Sequence, residues 1–270
     1  MTPNTLSPRA STAPAANATD GPLAGRTAVV TGAGGGLGGA IARRLAEAGA
    51  HISCGDLDGE SALRTTRQIS EAGGVATGFT VNVTDEDRVC QWRDEVVAEH
   101  GPASILVNVA GAIERRLLLE CDHETFMRAV DINLGGTYTT IRAFAPDLIA
   151  AGNGRVVNIA SVAGITGYPF PSYAASKAAV VNLSRSLLTD FWGTGVTVNS
   201  ICPGAMDTAM FNTDLIPEMT SRTPLGRIVT VDEVAAVAEF LCLDIAAGVN
   251  GTAITVDGGA TAVIKYFNHH

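Results

Sequence analysis

The chain has 270 residues, room for one large α/β domain or two small ones and for a substantial core. A net charge of −9, the lack of a basic block and an aromatic content of 5% argue against nucleic acid as a partner. No apolar run reaches the ~18 residues of a membrane helix, and five scattered cysteines without a C-x-x-C pair indicate reduced thiols and a cytoplasmic setting.

Met1 to about Gly21 is rich in Ala, Thr, Pro, Ser and Asn, holds Arg9 as its sole basic residue and lacks the apolar core of a secretory signal. Residues 1–22 therefore read as a disordered extension, 23–264 as one domain and 265–270 as a tail closing on His269 and His270. His51, His100 and His123 show no metal-ligand spacing, so no metal is expected.

From Arg26 onward, short apolar runs alternate with helical patterns. The runs Thr27–Thr31, His51–Asp56, Val75–Val81, Ser104–Asn108, Arg155–Ser161, Val196–Ile201 and Ala253–Val256 predict strands. Helices are predicted over Leu37–Ala48, Ser61–Glu71, Glu86–Glu99, His123–Ala150, Tyr173–Phe191 and Val231–Leu243. Such alternation implies right-handed crossovers and a doubly wound, mainly parallel α/β sheet covered on both faces, a Rossmann-like arrangement in a single domain.

The first strand-to-helix turn contains six glycines among the eight residues Gly32–Gly39. Its best description is Gly32-x-x-x-Gly36-x-Gly38, directly after the strand. Glycines there permit positive φ and let the backbone approach a pyrophosphate resting on the helix N-terminus. Asp56 closes the second strand, 24 positions after Gly32. A carboxylate so placed accepts hydrogen bonds from ribose hydroxyls and repels a 2′-phosphate, which selects NAD. Asp58 is the competing candidate, either a solvated carboxylate or the reader itself.

Further along, Tyr173 and Lys177 stand four apart at the start of a predicted helix, hence on one face. A fixed ammonium beside a phenol favours the phenolate and lowers its pKa, giving a group able to exchange a proton with an alcohol. Ser161, at the end of its strand, offers a hydroxyl to the same substrate oxygen.

Together these residues resemble the short-chain dehydrogenase/reductase family. The resemblance runs from about Leu23 to Ala260 and rests on motifs in the family's order: Thr31-Gly-x-x-x-Gly-x-Gly38, Asn108-Val-Ala-Gly111, Asn133, Ser161, Tyr173-x-x-x-Lys177 and Pro203-Gly204 with Thr208. It implies Tyr173 as acid–base catalyst, Ser161 as hydrogen-bond donor to the reacting oxygen, Lys177 as ribose ligand and tyrosine activator, and Asn133 as holder of a relay water. It also implies an NAD cofactor against Gly32, Gly36, Leu37, Gly38, Asp56, Leu57, Asn82, Val83, Asn108, Ala110, Gly111, Tyr173, Lys177, Pro203, Gly204 and Thr208.

Two positions depart from the pattern. Val109 replaces the second Asn of Asn-Asn-Ala-Gly, and Asn82-Val83 stands where Asp-Val is usual. An apolar residue packs in place of the first, and an amide still reaches the adenine edge in the second.

The implied activity is hydride exchange between NAD(H) and a secondary alcohol or its ketone. The alternatives are a 3-oxoacyl thioester reductase-like enzyme using NADPH, which Asp56 disfavours, and a non-catalytic cofactor-binding protein, which is expected to lack part of the catalytic four. For the small-molecule substrate, a lid over Ala205–Arg227 carries Met206, Met210, Phe211, Leu215 and Ile216, and Val162, Ile165 and Phe170 flank Ser161. Arg115 and Arg116 face either an acidic substrate or solvent. The helices His123–Ala150 and Tyr173–Phe191 are apolar on more than one face, which together with the resemblance implies a homo-oligomer, a tetramer favoured.

Overall fold

A computed structural model describes residues 21–208 and 213–263. The extension up to residue 20, the lid residues Met210 and Phe211 and the tail 265–270 lie outside the described residues.

Seven strands form one parallel sheet in the order β3-β2-β1-β4-β5-β6-β7. They are β1 (Thr27–Thr31), β2 (His51–Asp56), β3 (Val75–Thr80), β4 (Ala103–Asn108), β5 (Arg155–Ile159), β6 (Thr197–Pro203) and β7 (Ala253–Val256). Helices α1 (Gly36–Glu47), α2 (Gly59–Glu71), α3 (Glu86–His100), α4 (His123–Val130), α5 (Gly136–Ala150), α6 (Pro171–Ser186), α7 (Ile216–Arg222) and α8 (Val231–Cys242) connect them. The strand order reverses between β1 and β4, so their carboxyl ends diverge into a crevice, the usual place for a dinucleotide in such a sheet.

Alternation along each central strand feeds two core layers. Ala28 and Val30 point to the side covered by Ile41 and Leu45 of α1 and Val234 and Leu241 of α8. Val29 points to the other side, with Trp92 and Val96 of α3 and Phe144 and Leu148 of α5. Because both faces are buried, β1 reads as a continuous apolar run with no exposed position. Trp92 fixes the second layer, donating Nε1–H to Ser53 Oγ at 2.9 Å and meeting Phe144 edge-on at 5.5 Å. Its ring occupies the space that a side chain at Gly55 would need, 2.5 Å from a Cβ there.

The strand predictions hold to within two residues at each end, but the expected continuous helix His123–Ala150 does not. A π-helical stretch, Asp131–Gly135, separates α4 from α5. The Gly135–Gly136 pair falls at this junction, and Gly136 packs so closely on Val83 that a Cβ there would lie 2.5 Å from the valine methyl. Such insertions recur at functional sites, and this one carries Asn133. The expected helix over Tyr173–Phe191 starts instead at Pro171, whose fixed φ suits a first helical turn, and ends at Ser186. The seven-residue α7 within the expected lid was not anticipated; it is short and has no buried residue to give an amphipathic signal.

Among the described residues no helix is long and apolar enough to cross a membrane. No cluster of His, Cys, Asp or Glu among them is placed to hold a metal.

Candidate active site

The crevice floor is the turn after β1. Gly32 has φ +64, and a Cβ there would come within 2.9 Å of the Ala110 amide nitrogen, so the turns after β1 and β4 approach as closely as backbones allow. A Cβ at Gly38 would fall 2.0 Å from the Gly32 carbonyl oxygen, which fixes α1 tightly under the turn. Thr31 Oγ1 accepts from the Val109 and Ala110 amides at 3.0 and 3.1 Å, tying the two turns together.

Asp56 ends β2 facing that turn. Its Oδ2 accepts from the Gly34 amide at 2.8 Å and its Oδ1 from the Asp58 amide at 3.0 Å. Asp58 itself caps α2, accepting from the Glu60 and Ser61 amides, and these bonds together with that of the Ser61 hydroxyl pull its pKa down. Asp58 is thus committed to the helix cap, while Asp56 meets the glycine turn. Leu57 beside them is 72% exposed.

Other expected cofactor contacts are of mixed character. The Asn108 side chain turns inward, donating to Asn158 Oδ1 at 2.8 Å and accepting from Thr140 at 2.6 Å, so this residue supports the turn from below instead of offering its amide to a ligand. Val109 packs against the first core layer, as an apolar residue in place of Asn should. Asn82 is exposed and its Oδ1 accepts from Thr84, while Val83 is buried against Gly136. Pro203 is buried at the end of β6, and Gly204 passes so near β7 that a Cβ would lie 2.8 Å from that of Asp257. Thr208 is half-buried beyond it. Leu37 is buried in the first turn of α1.

The four expected catalytic residues converge. Ser161 follows β5 and caps a short 3-10 turn, Oγ accepting from the Ala163 amide at 3.1 Å. The Ser161 hydroxyl lies close enough to the Tyr173 phenol to act on its pKa. Lys177 is buried one turn further along α6, its Nζ donating to the Ile159 carbonyl at 2.8 Å and lying 6.0 Å from the centre of the Tyr173 ring. Asn133 is fully buried: Oδ1 accepts from the Ala112 amide at 2.8 Å, and Nδ2 donates to the Ala112 carbonyl and to Ser176 Oγ, both at 2.9 Å. Gly111 fits between these groups, since a Cβ there would be 2.8 Å from Asn133 Oδ1 and 3.2 Å from Lys177 Nζ.

The proton affinities correct the expectation from sequence. Burial raises the Tyr173 pKa; the Ser161 hydroxyl opposes this, the nearby Tyr168 adds to the rise, and the Arg115 charge lowers it slightly. Burial also pulls Lys177 down, to about 8. In the protein alone, desolvation is the largest influence on the phenol.

Several contributors were missed. Gly34 falls outside the Gly32-x-x-x-Gly36-x-Gly38 description, and Ser176 is unmarked inside the motif read for Tyr173 and Lys177. Tyr168, whose ring lies 6.1 Å from that of Tyr173 and 5.6 Å edge-on to Phe170, forms an aromatic wall with no periodicity to announce it.

A glycine turn at a strand-order reversal, a carboxylate closing β2 and a buried Ser–Tyr–Lys group at the same end of the sheet define an oxidoreductase site of the dinucleotide-binding type. The turn has the clearance for a pyrophosphate and Asp56 retains acceptor capacity, so the residues fit such a cofactor. A family model described as enoyl-(acyl carrier protein) reductase matches residues 32–261. A cis-4-hydroxycyclohexanecarboxylate dehydrogenase of Sinomonas cyclohexanicum is 39% identical over 246 residues, covering 89% of this chain and 98% of that one. A 3-oxoacyl-(acyl-carrier-protein) reductase of Thermotoga maritima is 34% identical, over 88% and 98%. A solved structure titled as a putative short-chain dehydrogenase/reductase from Burkholderia xenovorans superposes with a TM-score of 0.87 at 35% identity, covering 91% of this chain and all of its own. The chain belongs to the short-chain dehydrogenase/reductase family, whose members bind a nicotinamide cofactor.

Proposed function

We propose that this protein is an NAD(H)-dependent enzyme that interconverts a secondary alcohol and its ketone, with Tyr173 as the acid–base group. The observation that carries the reading is the convergence of Ser161 and Tyr173 with buried Lys177 and Asn133, the last two meeting around Gly111. The bound nicotinamide supplies or accepts the hydride. The chain manages the proton. Ser161 orients the substrate oxygen, and Tyr173 takes the hydroxyl proton in oxidation or returns it in reduction. Lys177 holds charge beneath the phenol and offers hydrogen bonds to the cofactor ribose. The Asn133 amide is fully engaged with Ala112 and Ser176, so any relay water rests on its main-chain carbonyl, which also accepts from Thr137 Oγ1 at 2.8 Å.

Asp56 supports NAD over NADP, because a 2′-phosphate beside a carboxylate is repelled. This weighs against a thioester reductase using NADPH, the reading that the Thermotoga relative's name favours. The presence of all four catalytic residues weighs against a binding protein without activity. For substrate class, the name of the Sinomonas relative supports an alcohol with a carboxylate remote from the carbinol. Tyr168 and Phe170 offer an apolar wall to its body. A cytoplasmic location and a homo-oligomeric state complete the proposal.

The test is a panel of cyclic and open-chain secondary alcohols, each with and without a carboxylate, assayed for NADH formation. Turnover of hydroxy acids above their methyl esters supports the whole reading. Activity confined to 3-oxoacyl thioesters with NADPH would replace it.

A further inference from the structure

We propose that Gly34 is a positioning residue for dinucleotide choice, its bare backbone holding the Asp56 carboxylate in the orientation that reads the adenosine ribose. This rests on the assignment of Asp56 as the ribose acceptor and adds the residue through which that acceptor is set.

The glycine-rich turn is bound to the β2–α2 unit at three points. The Ala33 amide donates to the Gly55 carbonyl at 3.1 Å, Thr65 Oγ1 donates to the Ala33 carbonyl at 2.7 Å, and the Gly34 amide donates to Asp56 Oδ2 at 2.8 Å. The last is the one bond of the three that acts on a ligand-facing group. With the Asp58 amide on Oδ1 at 3.0 Å, it clamps the carboxylate by one backbone donor per oxygen. A hydrogen bond to a charged acceptor stabilises one orientation of it more strongly than a neutral pair does.

Space enforces the same arrangement. A Cβ at position 34 would sit 2.5 Å from Ser61 Cβ, 2.8 Å from Asp56 Oδ2 and 2.9 Å from Asp56 Cγ. Ser61 belongs to the first turn of α2 and cannot retreat without moving the helix, so a Cβ at 34 pushes the turn away and takes the Gly34 amide off the carboxylate. The φ of Gly34 is not positive, so contact rather than backbone strain decides the outcome. The neighbouring Gly35 faces open space, with nothing within 4 Å of a Cβ, and serves as a matched comparison in the same turn. The same crowding bars an arginine or lysine at position 34 from building a 2′-phosphate site, so the turn and the carboxylate exclude NADP jointly.

The experiment is direct titration of NAD and NADP into the full chain, without substrate, for the unmodified protein, Gly34→Ala, Gly35→Ala, Asp56→Ala and the Gly34→Ala/Asp56→Ala double variant. Thermal melts identify folded protein. The expected result is an NAD-to-NADP affinity ratio that falls about 10-fold in Gly34→Ala, the scale of one hydrogen bond to a charged group. Gly35→Ala should weaken both dinucleotides equally if it weakens either. In the Asp56→Ala background, Gly34→Ala should leave the ratio unchanged, because its route is already removed. An unchanged ratio in folded Gly34→Ala, or equal additional loss in both backgrounds, overturns the inference. Tighter NADP binding by the unmodified protein instead removes the Asp56 reading beneath it.

Discussion

Tyr173 and Lys177 share one face of α6, and burial drives their proton affinities apart: the amine falls from 10.5 to about 8 while the phenol rises from 10.0. The lysine meets the Ile159 carbonyl, not the phenol oxygen, as its hydrogen-bond partner. In the proposed reaction the proton exchange then starts from a neutral tyrosine, suited to donation in the reductive direction.

The first prediction follows from that protonation state. Ultraviolet difference titration of the cofactor-free protein, compared with Tyr173→Phe, should show no phenolate from Tyr173 below its ordinary pKa of ~10. Alcohol oxidation should accordingly accelerate with rising pH. Tyr173→Phe keeps the ring and removes the ionisable oxygen, so turnover should drop by about 10²–10⁴-fold with NAD affinity nearly intact. A phenolate forming near neutral pH in the unliganded protein, or near-normal turnover by Tyr173→Phe, would contradict this account.

Lys177 should cost stability in return for its function. Its folded pKa of about 8 lies below its ordinary 10.5, so above about 8 the unfolded chain binds more protons than the folded one. Stability contributed by this group rises with pH between those values, and the penalty of burying the charge is fully present below about 8. Lys177→Met removes the charge at similar volume. At neutral pH its melting temperature in the absence of cofactor should exceed that of the parent, with a gain on the order of 3 kcal/mol at most. That gain should shrink as the pH approaches 10.5. Turnover should be lost throughout. A variant that melts lower at neutral pH would show that the Ile159 bond outweighs desolvation.

Dinucleotide choice gives a prediction independent of Gly34. NAD should bind more tightly than NADP, and Asp56→Ser combined with Leu57→Arg should narrow or reverse the preference. Leu57 is exposed enough for a guanidinium to reach solvent and a 2′-phosphate without displacing core. Parallel titrations of both cofactors decide it, and an unchanged preference in the double variant would remove Asp56 from the role.

Beneath the crevice, Asn108, Thr140, Asn158, Ser184 and Ser200 form one buried chain of hydrogen bonds, with Asn158 donating to Ser184 at 2.9 Å and Ser184 meeting Ser200 at 2.7 Å. Asn158→Leu leaves partners on both sides unsatisfied and should destabilise by roughly 2–4 kcal/mol. NAD affinity of the folded fraction should barely change, since the network faces away from the crevice. Urea unfolding with parallel titration separates the two effects.

How much of this was legible in the sequence follows from which signals are local. β1, β2 and β7 match their predicted bounds because each is an apolar run cut by turn residues. The convergence of Ser161, Tyr173 and Lys177 was legible through helical spacing and motif order. The break at Asp131–Gly135 was not, since a single π-helical insertion leaves helical periodicity almost intact. The inward turn of Asn108 and the rise in the Tyr173 pKa were also hidden. Both depend on burial by segments distant in sequence, and burial reversed a sign that the Tyr–Lys pair alone implied. Gly34 was masked by its own neighbours: amid so many glycines, nothing marks the one that meets a carboxylate.

The last prediction concerns assembly. Along α4 and α5, Met127, Tyr138 and Ile149 are 37%, 47% and 41% exposed, and Tyr138 and Ile149 stand eleven residues apart, close to three helical turns. Tyr138 and Ile149 thus form an apolar line on the exposed side of α5. A second copy related by a two-fold axis covers such a line with the same line of its partner, satisfying both at once. Light scattering at micromolar concentration should therefore give a mass at least twice the 27.7 kDa of one chain. Tyr138→Arg sets like charges against each other across that axis and should shift the mass toward the single chain while leaving the far-ultraviolet spectrum unchanged. A stable mass near 27.7 kDa for the unmodified protein refutes the oligomer. An unshifted oligomer in Tyr138→Arg moves the interface away from α5.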